Sequence, residues 1–194
     1  MNIMLNIFGD ILIGFFTPLG AYLSIKWNYA QREKSGAEAL LKSLLDELRA
    51  VLKRYDDTAG KIWKDIGDEP TGIFPYYEIS QDYLSIYNNN ADKIGLIPDD
   101  DLRREIIEGY TLMKGLIDSY KFNNFYNREL EKEYEEKGPI NHKDSINLLY
   151  LRQYFTVLQK AHKDLLVYIP KLIDSLSNFI DEKYSKHEKR KCKI

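Results

Sequence analysis

The apolar positions of the chain fall into two regimes. Residues 3–25 read IMLNIFGDILIGFFTPLGAYLSI, 23 positions carrying one charge, Asp10. A helix rises about 1.5 Å per residue, so this run matches a hydrocarbon core of about 30 Å. Beyond it the apolar positions become periodic. Leu41, Leu44, Leu45, Leu48, Val51, Leu52 and Tyr55 form a stripe at helical spacing. That helix is expected to continue from Lys26 without a break, with Gly36 as a soft point, and to end or bend around Asp56, Asp57 and Gly60.

The breakers Gly67, Pro70, Gly72 and Pro75 predict a loop over 67–77, followed by a short helix over about 79–91. Pro98 with the acidic run Asp99–Asp101 predicts a helix start at Pro98. Leu102, Ile106, Tyr110, Met113, Ile117 and Tyr120 follow at steps of 4, 4, 3, 4 and 3, and this helix should reach about Tyr134. After a break over 136–145, the last helix starts near Asp144 or Ser145. Its buried side is expected to carry Ile146, Leu149, Leu158, Leu165, Ile173, Leu176 and Ile180, with a kink at Pro170. No segment alternates like a strand. The expected fold is all-α: one N-terminal transmembrane helix over 1–26, then an antiparallel helical bundle over 27–194 that ends in a basic tail.

Charge sets the expected orientation. No Lys or Arg precedes the apolar run, whereas Lys26, Arg32 and Lys34 follow it. Basic flanks stay inside, so the N-terminus should face out and the bundle should be cytoplasmic, in a single-pass protein of the plasma (inner) membrane. Trp27 and Tyr29 suit the headgroup layer. Two other readings of the run stay open. A signal peptide would want a basic start and a small-residue cleavage site, and neither is clear. A helix buried in a soluble core would tolerate Asn6, Asp10 and Pro18.

At 100° per residue, Asn6, Asp10, Gly14, Thr17, Ala21 and Ser24 share an arc of about 80°, while Leu5, Phe8, Leu12, Phe15, Leu19 and Leu23 crowd the other side. A lone helix in lipid cannot hide a carboxylate. Self-association hides it, either in a dry seam or around a water-filled path. On the second reading Asn6, Asp10, Thr17 and Ser24 line a pore.

Composition removes several function classes. The net charge of −2 excludes a uniformly basic nucleic-acid binder but not a local basic patch. The one cysteine, Cys192, rules out a disulfide framework or a Cys-rich metal site. There is no phosphate loop, nucleophile elbow or H-E-x-x-H pair, and His142, His162 and His187 have no ligand-like spacing, so surface or packing roles are expected for them. No enzyme activity, cofactor or metal is expected. The densest aromatic stretch, SYKFNNFYNR over 119–128, interleaves rings with cations and amides. Lys121, Phe122, Asn124, Tyr126 and Arg128 could meet unstacked bases or a partner, or simply pack a helix seam. The tail holds six Lys/Arg between Lys183 and Lys193. Within it, Lys189, Arg190 and Lys191 suit an anionic surface or nucleic acid, or else only a solvated helix end.

The run IFGDILIGFFTPLGAYLSIKW, the following KSLLDELRAVLKRY and the block YLSIYNNNADKIGLIPDDDLRREIIEGYTLMKGLIDSYK resemble the small membrane effectors of bacterial antiphage systems. The resemblance is to the membrane component of the Hailong system in particular. It implies a homotetramer whose N-terminal helices form an ion channel that depolarises the membrane in antiviral defence. It also implies a bundle that recognises a nucleotidyltransferase partner and the single-stranded DNA that partner makes. The alternative from the residues alone is a membrane-tethered binding or scaffold module whose first helix only anchors.

Overall fold

The computed structural model describes residues 2–67, 73–79, 81–138 and 145–185; for 2–19, 81, 82, 137 and 185 it describes the backbone element alone. It is all-helical, with no strand among the described residues. Three long helices carry the fold: α1 (Asn2–Asp57), α4 (Asp100–Lys137) and α5 (Ile146–Ile180). Two short ones, α2 (Ala59–Ile66) and α3 (Ser85–Asn89), lie between α1 and α4. At 56 residues α1 is about 84 Å long.

The expected continuity past Lys26 is found, and α1 runs through Gly36 without interruption. It has two parts of different character. Residues 20–36 are exposed on every side, including Tyr22, Leu23, Ile25, Trp27 and Tyr29. From Ala37 the helix enters the bundle, where Leu40, Leu41, Leu44, Leu45, Leu48 and Tyr55 are buried and Val51 and Leu52 pack against them. The end expected around Asp56 is a sharp bend at Thr58, whose hydroxyl donates to the Arg54 carbonyl at 2.7 Å before α2 begins. Among the described residues no helix is long and apolar enough to cross a membrane. Most of the apolar run, residues 3–19, lies outside those whose side chains are described.

Three expectations need correction. The helix placed at Pro98 starts at Asp100, because Asp99 is its cap and accepts from the Leu102 N–H at 2.9 Å. That helix runs three residues past Tyr134, to Lys137, and stops where Gly138 takes φ +73 and its N–H returns to the Tyr134 carbonyl. The single short helix over 79–91 is instead a 3₁₀ turn (Gln81–Leu84), α3 and a second 3₁₀ turn (Ala91–Leu96).

The third correction concerns α5. Ser145 caps it, as expected, and it continues through Pro170. Its buried face, however, is Leu148, Leu151, Phe155, Leu158, His162, Leu165, Ile169, Leu172, Leu176 and Ile180. Ile146 and Leu149, expected inside, are 54% and 50% exposed, and Ile173 is only partly buried. The first turns read INLLYL, where nearly every position is apolar, so periodicity alone could not choose the register.

Helix α1 runs along α5 from Lys34, whose ammonium lies 6.0 Å from the Tyr184 ring, to Tyr55, which bonds His162. Helices α4 and α5 pack on each other along most of their length.

Candidate functional site

Four aromatic side chains from four helices meet where α1 ends. Each occupies the buried register of its helix: Tyr55 on α1, Trp63 on α2, Tyr120 on α4 and His162 on α5. Trp63 Nε1–H donates to the Tyr120 oxygen at 2.9 Å. The Tyr120 and Tyr55 hydroxyls are 3.1 Å apart, and Tyr55 lies 2.7 Å from His162 Nδ1. Trp63 stacks on His162 at 5.0 Å and 17°, and Phe74 and Phe155 close the cage around the indole.

The donors order this chain. With His162 neutral and its proton on Nε2, the protons run one way: Trp63 to Tyr120, Tyr120 to Tyr55, Tyr55 to Nδ1. A protonated imidazole would need Tyr55 as acceptor, which leaves the Tyr120 proton with no acceptor among the described residues. Burial, and then the Lys163 ammonium nearby, push His162 down to about 4. Burial pushes Tyr120 up to about 12 and raises Tyr55 as well, the neighbouring Tyr120 adding to the latter. The network is therefore uncharged near neutral pH. His162 also lines a cleft of about 340 Å³ with Asp56, Lys64, Gln159 and Lys163. No cluster of three metal-ligating side chains occurs among the described residues.

Two further polar contacts fix the surroundings. Glu47, 7% exposed, accepts from the Ile86 N–H at 2.6 Å, the Tyr87 N–H at 3.1 Å and the Tyr110 hydroxyl at 2.8 Å. It thereby ties α1, α3 and α4 together. On α4, Asn124 takes both the N–H and the carbonyl of Tyr77, at 2.9 and 2.5 Å. Asn123 and Asn127 donate to the Phe74 carbonyl, each at 3.1 Å. The extended segment 73–79 is thus held by its backbone, with Phe74 buried between Trp63 and Tyr120.

Of the pore candidates, Asn6, Asp10 and Thr17 lie outside the residues whose side chains are described, and Ser24 is on the exposed stretch of α1. The 119–128 cluster is divided by the fold. Asn124 is used inward on Tyr77, Lys121 pairs with Asp118 at 3.2 Å, and Arg128 sits over the Tyr76 ring at 5.4 Å. Phe122 is exposed and contacts Tyr154, while Tyr126 lies between Tyr150 and Tyr154. Lys189, Arg190, Lys191, His142 and His187 lie outside the described residues. The sequence reading missed Glu47, Asn123 and Asn127. Glu47 sits about 60° from Leu44 around α1, a carboxylate beside the apolar stripe, and that was a usable signal.

Compared with protein-family models, curated proteins and solved structures, the chain matches none.

Proposed function

We propose that this protein is a self-assembling membrane effector: its N-terminal helices cross the bilayer and associate through the Asn6–Asp10–Thr17–Ser24 face, and its bundle controls them. The observation that carries the reading is the continuity of α1. One helix joins the apolar run to the bundle core, and residues 20–36 between them are exposed, with Lys34 reaching the Tyr184 ring only at the bundle end. Trp27 and Tyr29, 68% and 65% exposed, stand where a headgroup layer would meet the emerging helix. A helix without a joint passes a rotation or shift of the core directly to its far end. Because one helix encloses no path, conduction needs several copies, and the Hailong resemblance suggests four. The same resemblance supports a nucleotidyltransferase and single-stranded DNA as the controlling partners, with the basic tail at 189–191 offering phosphate contacts.

Inserting a short Gly-Ser linker between Ala30 and Gln31 tests the coupling. Membrane insertion and the bundle's thermal transition should be preserved while depolarisation on activation is lost. A linker variant that depolarises cells as the wild type does would remove the coupling argument and favour a tethered module.

A further inference from the structure

The bundle has an overhang. Beyond the Trp63–Phe155 contact, α1 and α2 have ended, and α4 and α5 continue as a two-helix hairpin. Its tip is fastened where Glu133 accepts from Ser145 and Asn147, at 2.7 and 3.2 Å. Along this hairpin and the adjoining turn of α5, no third helix among the described residues covers an apolar face. Phe122, Ile146, Leu149 and Val157 are 50–54% exposed and Tyr150 is 38% exposed. Contacts of Tyr126 and Tyr154 with Phe122 and Tyr150 join the two helices into one surface.

With aromatic and aliphatic side chains of about 150–250 Å², half exposure of these residues leaves on the order of 500 Å² of apolar surface. A patch of that size is in the upper range of what monomers expose, and the largest such patch is often a binding surface. A standard interface buries about 800 Å² per partner, roughly 60% of it apolar, which is again about 500 Å². The patch has the size of one complete interface.

We propose that a second copy of this chain covers it, the two hairpins meeting about a two-fold axis as a four-helix contact at the end of the bundle remote from residues 20–36. This rests on the reading of the protein as self-assembling and names the surface the bundles use. Ile146, Leu149 and Val157 give bases nothing to stack on, and two cations of the 119–128 stretch are engaged: Lys121 with Asp118, Arg128 over Tyr76. The surface therefore suits protein better than nucleic acid. Closed two-fold pairing is the commonest way a chain covers its own patch.

The test uses the full chain in native membranes and in detergent. In a Cys192→Ser background, Leu149→Cys with a short bis-maleimide should give a covalent dimer of the chain. Leu149→Lys with Val157→Lys should raise the dissociation constant of the assembly at least tenfold by analytical ultracentrifugation. Both positions are half exposed, so the melting temperature should hold. An unchanged mass distribution in the double variant, or no cross-linked dimer, overturns the proposal. So does loss of binding to a dT oligonucleotide with the assembly intact, which would make the patch a nucleic-acid face. Depolarisation followed in parallel separates this surface from the pore: a dissociated assembly that still conducts refutes a need for the contact, and a cross-linked dimer that never conducts refutes the pore alone.

Discussion

Lowering the pH through the range where free histidine titrates should destabilise this bundle, and His162 should be the main reason. Its imidazole accepts from Tyr55 at 2.7 Å and stacks on Trp63, so the folded state holds it neutral, with a pKa lowered from 6.5 to about 4. The unfolded chain binds the proton more readily. This stability is therefore fully present above pH 6.5 and is lost as the pH falls toward 4. The difference is worth at most about 3 kcal/mol at about 1.4 kcal/mol per unit, less the solvation available through the adjoining cleft. His162→Gln offers Tyr55 an acceptor that does not titrate, so it should cost about 1 kcal/mol near neutral pH and then lose less on acidification. Urea unfolding of the full chain in mild detergent, followed by tryptophan fluorescence, gives both curves. Carboxylate titrations common to the two proteins cancel in their difference. Parallel stability–pH curves for wild type and His162→Gln would refute the ordered-proton account.

Glu47→Ala should destabilise the bundle by about 2–3 kcal/mol in the same assay, because it strands two N–H groups and the Tyr110 hydroxyl; a loss below about 0.5 kcal/mol would mean water replaces the carboxylate freely. Asn124→Ala removes both backbone bonds to Tyr77, and hydrogen exchange at 73–79 should rise at least tenfold while the α4 core stays protected. Two glycines of α4 should respond oppositely to alanine. A Cβ at Gly109 would fall 2.6 Å from Leu172 Cδ2 and 3.3 Å from Tyr168, so Gly109→Ala should lower the melting temperature; Gly115 faces open space, and Gly115→Ala should gain about 0.5–1 kcal/mol.

What the sequence made legible follows from where one signal dominates. On α1 and α4 the polar residues between the apolar ones leave one register, and Leu41–Tyr55 and Leu102–Tyr120 were assigned to the core correctly. On α5 the start is apolar on all sides, and the choice between Leu148 and Leu149 was settled by packing against α4 that no local pattern contains. The caps at Asp99 and Ser145 were readable as residue types, and Pro98 misled by two residues because the Asp99 carboxylate takes the cap. The centre at His162 was foreseen only as packing. Its partners are 42 to 107 positions away in sequence, and nothing in the spacing of Tyr55, Tyr120 and His162 announces that they meet. The asparagine clamp was hidden for the same reason. Asn124 looked like a ligand for bases, and the fold uses it, with Asn123, on its own segment 73–79.

The central claim is that the N-terminal helices conduct under the bundle's control, and membrane potential tests it most directly. A voltage-sensitive dye would follow cells making wild type, Asp10→Leu or a chain lacking residues 1–25, under infection or forced induction. The account predicts depolarisation by wild type, none by the truncation and an altered response from Asp10→Leu. Membrane-inserted, oligomeric wild-type protein that leaves the potential unchanged in every condition would contradict it.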